Sequence, residues 1–213
     1  HQESFWAGFV GLANGDKIPL ETAEQSGKVV EELRRSVYKV EEVRTKELAR
    51  QPAAPFITST LQQEAYRKLR YSADRTMRIA QQLYEGLSIG DEGSAGLITY
   101  MRTDSTHIAP SALAEAREFI SKKYGDKYLP HSPRQFVKKS KFAQEAHEAI
   151  RPTSVMREPG TLKQYLDSDQ AKLYELIWKR MVASQMAAML MDSTTVDVTA
   201  HVDPRHHGYL MRA

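Results

Sequence analysis

The chain reads as extended at both ends and as helical in between, and this change of period constrains its fold more than any other feature. Near the N-terminus, ESFWAGFVGLANGDKIPL is rich in aromatic and β-branched residues. It then meets Asn14-Gly15, the dipeptide that best accommodates positive φ in a tight turn, so a β-hairpin is expected there. Near the C-terminus, STTVDVTAHV alternates: Val196, Val198, Ala200 and Val202 share one face, with Asp197, Thr199 and His201 on the other. After RQPAAPF, whose two prolines interrupt regular structure, the period becomes helical. Strands around a helical middle predict an α/β (α+β) fold. Residues 1–53 and 186–213 should form a mainly β domain, and residues 54–185 an inserted, mainly α domain.

Individual elements follow from local signals. TAEQSGKVVEELRRS carries Val29, Val30 and Leu33 on one helical face, and VYKVEEVRTKEL returns to extended character. In the middle, TSTLQQEAYRKLR pairs Thr60 with Gln63 as a capping signal and spaces Leu61, Ala65 and Leu69 four apart. YSADRTMRIAQQLYEGL follows at once, with Ser72 as N-cap and Met77, Ala80, Leu83 and Leu87 as its buried face. Two amphipathic helices so closely joined resemble a helix-turn-helix. SIGDEGSAG then breaks the helix before LITY, a short strand. Pro110 opens a helix with Leu113, Ala116, Ile120 and Tyr124 on one face and Gly125 at its end. AQEAHEAI is expected to be helical up to Arg151, because Pro152 disfavours the α conformation in the residue before it. A long helix from about Gln170 to Leu190 carries Leu173, Ile177, Met181 and Ser184.

Composition removes several function classes. The chain has no cysteine, which excludes disulfides, thiolate nucleophiles and Cys-based zinc sites. The absence of cysteine does not decide the compartment, although cytoplasm is the simpler reading, and no window approaches the roughly 18 consecutive apolar residues of a membrane span, so no membrane partner is expected. The net charge of +3 permits nucleic-acid binding without indicating it. The start at His1 and the end in HHGYLMRA read as those of a fragment of a longer protein.

Candidate chemistry concentrates in GLITYMRTDST, residues 96–106. Tyr100 lies where an apolar run meets a polar cluster containing a cation. A phenol of pKa about 10 must be helped to lose its proton, yet it is also a reasonable leaving group, a balance that suits reversible transesterification. An attacked phosphodiester gains negative charge on its non-bridging oxygens, and the Arg102 guanidinium, on the same face if the strand continues, could stabilise it. Tyr-x-Arg alone is common. The bland alternative is a strand-end tyrosine whose hydroxyl bonds a neighbouring carbonyl.

GLITYMRTDST, with PFITSTLQQEA upstream and QEAHEAIRP downstream, resembles the central region of type IA DNA topoisomerases, most closely the bacterial enzymes that relax negative supercoils. The resemblance covers nearly the whole chain and implies a specific assignment. Tyr100 would be the nucleophile that attacks single-stranded DNA and becomes joined to its 5′ phosphate, with Arg102 assisting cleavage. Asp104 would shape the site, His147 would contact a DNA phosphate, and Gln81, Glu85 and Thr99 would line the nucleotide-binding surface. The β domain would belong to an arch and hinge that lifts the tyrosine domain away so that another strand can pass. Magnesium would be bound by the family's TOPRIM domain, whose D-x-D-type ligands are not in this sequence. The missing TOPRIM half is therefore an expected partner, and the chain alone should bind single-stranded DNA weakly without relaxing supercoils.

Rival patterns are weaker. His147-Glu148 begins the zinc motif H-E-x-x-H, but position 151 is Arg where a ligand is needed, and H-x-x-x-R does not match the tyrosine recombinases. Asp167 and Asp169 are spaced as a magnesium D-x-D would be, but acids at a helix start more often cap it. Lys122, Lys123, Lys127, Arg134, Lys138, Lys139 and Lys141 could track a phosphate backbone or form a solvated loop. Tyr66, Tyr71 and Tyr84 could stack on bases, although tyrosines at helical spacing are more often core. The alternative of a different class is a non-enzymatic helix-turn-helix module between Thr58 and Leu87, which would favour duplex DNA.

Overall fold

The computed structural model of the chain describes residues 4–90, 93–136, 147–202 and 208–213. In order the elements are β1 (Gly8–Leu12), α1 (Ala23–Arg35), β2 (Val37–Arg50), α2 (Thr58–Leu69), α3 (Ala73–Glu85), β3 (Leu87–Ser88), β4 (Ser94–Ala95), α4 (Pro110–Tyr124), α5 (Pro159–Leu162), α6 (Ser168–Ser184), β5 (Met189–His201) and β6 (Tyr209–Arg212). This mixed α/β chain divides into two compact units, one of His1–Ala49 with Leu190–Ala213, the other of Arg50–Met189.

The first unit is built on a sheet ordered β1-β6-β5-β2, with β6 antiparallel to both β1 and β5. The Asn14-Gly15 turn forms, with Leu12 N–H on Asp16 O at 2.9 Å and Gly15 at φ 94. No returning strand follows it. Pro19 lacks the N–H such a strand would supply, and β1 pairs instead with β6, from Gly8↔Arg212 to Leu12↔Tyr209. The strand expected here forms as β5, but it ends at His201 with Val202 outside it and exposed, and its polar face is covered as well as its apolar one. Asp197, Val198, Thr199 and Ala200 are all buried. Asp197 accepts from Arg212 Nε and Arg44 Nη2, each at 2.6 Å, and Thr199 Oγ1 donates to Glu41 at 3.0 Å. The Arg212 hydrogen bond, reinforced by Arg44, holds the Asp197 carboxyl below its usual range.

The second unit packs α2, α3, α4 and α6 around a core that includes Leu61, Leu83, Ile120, Leu173 and Ile177, all fully buried. Ser72 caps α3 as expected, accepting from Arg75 N–H at 3.2 Å. Pro110 stands in the first turn of α4, and Gly125 ends it at φ 97. Helix α2 begins at Thr58, two residues before the expected capping residue, and the Thr60 hydroxyl accepts from Ile57 N–H at 3.0 Å.

Three expectations are corrected by tertiary hydrogen bonds. Helix α6 ends at Ser184, six residues early, because the buried Gln185 side chain accepts from Arg134 N–H at 3.2 Å while Met186 O accepts from Arg134 Nε at 2.9 Å. Of AQEAHEAI, residues 143–146 lie outside the described residues, and His147–Ile150 is extended. Ala149 N–H donates to His107 O and Ile150 N–H to Phe56 O, each at 2.8 Å, where a helix would have used them internally. LITY is a single bridge, Ile98↔Pro152, and the glycine-rich loop before it contains the small β3–β4 hairpin.

Candidate active site

Tyr100 stands where three separate segments meet. Leu97 O accepts from Thr153 N–H at 3.0 Å and Thr99 N–H donates to Arg151 O at 2.9 Å, which ties GLITY to the AIRP segment. The Thr58 hydroxyl donates to Met101 O at 2.8 Å and accepts from Thr103 N–H at 2.9 Å, so the first turn of α2 grips the other end. Leu97 N–H reaches back to Leu83 O at 2.7 Å, in the last turn of α3. The three motifs of the sequence are therefore one piece of structure.

From Tyr100 onward the side chains alternate. Met101 and Thr103 are buried, whereas Tyr100, Arg102 and Asp104 are exposed. Arg102 and Asp104 line a cleft of about 380 Å³ together with Ile57, Thr58, Ser59, Thr103 and His147. Neither has an ion-pair partner among the described residues, so the cleft presents a free guanidinium and a free carboxylate beside an exposed imidazole. Tyr100 itself is 47% exposed at the step before Arg102, and its ring meets that of Tyr84 edge-on, centroids 5.4 Å apart. Such a site can offer an anion a cation on an open, solvent-exposed surface.

The other predicted residues take different positions. Thr99 lies outside the cleft lining; its hydroxyl donates to Ala149 O at 2.7 Å and accepts from Arg151 N–H at 3.0 Å, which fixes the segment carrying His147. Gln81 and Glu85 pair with each other along α3 at 2.5 Å and do not line the cleft. The sequence reading overlooked Thr58 and Ser59, although both stand inside PFITSTLQQEA. Glu148 and Arg151, in the string that fails as a zinc motif because position 151 is Arg, take structural roles. Glu148 accepts from Ala109 N–H at 2.5 Å, at the start of α4, and from Arg151 Nη2 at 2.8 Å. Arg151 is buried, and its Nη1 donates to Pro152 O at 2.9 Å.

Several rival features have structural roles, although Tyr66 and Tyr84, expected to be core, are exposed. Asp167 caps α6, accepting from Asp169 and Gln170 N–H, both at 2.8 Å. Asp169 receives Arg75 Nη2 at 2.5 Å and the Tyr71 hydroxyl at 2.9 Å, so Arg75 of the helix-turn-helix is committed within the fold. Lys122 pairs with Glu118, Lys123 with Glu158, and Arg134 reaches Gln51 at 2.7 Å. Lys138, Lys139 and Lys141 lie outside the described residues. Among the described residues no three His, Cys, Asp or Glu side chains are grouped so as to hold a metal ion. No helix there is long and apolar enough to cross a membrane.

A fold carrying an exposed tyrosine two residues before the arginine of a polar cleft, knit from these three motifs, defines a class that the comparisons with known proteins make specific. Residues 5–208 match the family model described as DNA topoisomerase, and the chain belongs to that family, within its type IA branch. It is 49% identical over 180 residues to DNA topoisomerase 1 of Xylella fastidiosa (strain 9a5c), covering 84% of this chain and 22% of that protein. It is 48% identical over 198 residues to DNA topoisomerase 1 of Rickettsia felis, covering 93% and 25%. Full-length topoisomerase I from Thermotoga maritima superposes with a TM-score of 0.67 at 38% identity, over 97% of this chain and 32% of that one. The chain thus spans about a quarter of the length of the curated relatives it matches.

Proposed function

We propose that this chain is the tyrosine-bearing part of a DNA gate and that Tyr100 cleaves single-stranded DNA by transesterification. The phenolic oxygen attacks the phosphorus of a backbone phosphodiester and forms a Tyr–O–P bond. The bond from phosphorus to the 3′ oxygen breaks, and that oxygen leaves as a 3′ hydroxyl, taking up a proton as the tyrosine gives one up. Reversal by the same hydroxyl reseals the strand, and passage of another strand in between relaxes negative supercoils. Arg102 neutralises the charge that grows on the non-bridging oxygens. His147 holds the adjoining phosphate, and Asp104 orients these groups. The reading rests on one observation: Arg102, Asp104 and His147 line one cleft whose Arg102 lies two residues beyond an exposed Tyr100, and neither Arg102 nor Asp104 is paired among the described residues. Magnesium and the acidic residues that bind it belong to a TOPRIM half that this chain must meet to act.

The test combines the chain, a separately made TOPRIM half, magnesium and an end-labelled single-stranded oligonucleotide. A covalent adduct on a denaturing gel that carries the fragment downstream of the break, joined through its 5′ phosphate, needs both halves and vanishes in Tyr100→Phe is expected. Adduct formation by Tyr100→Phe would overturn the reading.

A further inference from the structure

The backbone around Tyr100 is fixed on every side. Leu97, Ile98 and Met101 are at most 1% exposed, and the carrier strand lies so close to α3 that a Cβ on Gly96 would come within 2.7 Å of Tyr84 O. No comparable packing surrounds the Tyr100 ring, which is 47% exposed, and no hydrogen bond holds its hydroxyl among the described residues. Among the described residues one aromatic neighbour constrains it: the Tyr84 ring, from the last turn of α3, meets it at 5.4 Å between centroids and 63° between planes. Tyr84 is itself 41% exposed, and its own carbonyl backs Gly96. The same turn of helix therefore sets the height of the strand, through Leu83 O and Tyr84 O, and the attitude of the ring, through the Tyr84 side chain.

We infer that Tyr84 is a positioning residue for Tyr100, holding the phenol by an edge-to-face contact in the orientation from which it reaches phosphorus. The inference rests on the reading of Tyr100 as the nucleophile. A tyrosine has two soft side-chain torsions, and a half-exposed ring samples several wells of χ1 unless something selects one. An edge-to-face partner favours one well by the energy of a single aromatic pair. Because the contact involves ring edges and faces, the Tyr84 hydroxyl is dispensable and its ring is not.

The experiment uses the complete topoisomerase carrying this chain and measures two quantities for Tyr84→Leu and Tyr84→Phe. One is the rate of covalent adduct formation at saturating single-stranded oligonucleotide; the other is the dissociation constant for the same oligonucleotide without cleavage. Tyr84→Leu is expected to slow adduct formation by about 2- to 12-fold with the dissociation constant unchanged, and Tyr84→Phe to restore the rate. A weakened dissociation constant with an unchanged saturated rate would overturn the inference and make Tyr84 a base-stacking residue. An equal defect in Tyr84→Phe, or no defect in Tyr84→Leu, would overturn it too. The Tyr100 ring resonances in this chain give a separate readout: they should shift in Tyr84→Leu as the ring current is lost. If they shift but the unsubstituted enzyme forms no adduct, the nucleophile reading is what fails and the positioning role falls with it; if they do not shift while the enzyme still forms adduct, the inference alone fails.

Discussion

At the scale of single residues, the cleft is shaped by groups that never enter it. Glu148 joins the start of α4 to Arg151, and Arg151 is buried; among the described residues its Nε is unpaired, and the ion pair and one carbonyl are what its side chain receives. Removing the carboxylate leaves an uncompensated buried charge, which typically costs about 3 to 5 kcal/mol. Glu148→Ala should lower stability by about that amount in urea denaturation, whereas a change under about 1 kcal/mol would mean that Arg151 finds water instead. Arg102 is the opposite case, an exposed cation with no partner among the described residues and hence little structural role. Arg102→Ala should leave the denaturation midpoint almost unchanged yet slow DNA cleavage by about 100-fold or more, as loss of a charge-stabilising donor does elsewhere. Equal losses of stability and rate would assign Arg102 to the fold.

At the scale of elements, α3 is held against α6 by a cluster that responds to pH at both ends. Arg75, more than Tyr71, holds the Asp169 carboxyl below its usual value of 3.8, so the cluster's stability is full above that value and is lost as pH falls through the lowered one. Burial, aided by Asp169, pushes the Tyr71 hydroxyl up to about 12 from 10, so its share is full below pH 10 and is lost as pH rises from 10 towards 12. Denaturation midpoints across pH should therefore fall at both extremes. Tyr71→Phe should flatten the alkaline limb and Asp169→Asn the acid one, and unchanged limbs would mean that other groups set them. Local chemistry made most of these elements legible in the sequence: the Ser72 cap, the Pro110 start, the Gly125 stop and the alternation of β5 are each decided by neighbours in the chain. The end of α6 and the extended course of His147–Ile150 were not legible. Both depend on partners far away in sequence, Arg134 in one case and Phe56 and His107 in the other. The site was legible to the same degree. Tyr100, Arg102, Asp104 and His147 stand in recognisable strings, whereas the clasp of Thr58 on Met101 and Thr103 and the contact of Tyr84 with Tyr100 exist only once the strings are folded together.

At the scale of the whole molecule, the two units are unequal. The unit of Arg50–Met189 has a continuous apolar core, while in the other β2 is exposed along its length, with Val37, Tyr38, Val40 and Val43 more than half uncovered. The chain spans only about a quarter of its curated relatives, and no group of acids among its described residues could hold a metal ion. On the proposed reading, this chain alone should bind a single-stranded oligonucleotide and leave negatively supercoiled plasmid untouched on an agarose gel, even with magnesium added. Relaxation by the purified chain would contradict the division of labour between it and a TOPRIM half. The most direct test of the central claim is to trap the covalent adduct, digest it with trypsin and sequence the DNA-linked peptide by mass spectrometry. Cleavage after Arg78 and Arg102 yields one peptide, residues 79–102, that contains both Tyr84 and Tyr100. Fragmentation should place the nucleotide on Tyr100, and a nucleotide on Tyr84, or on any other residue, would contradict the account.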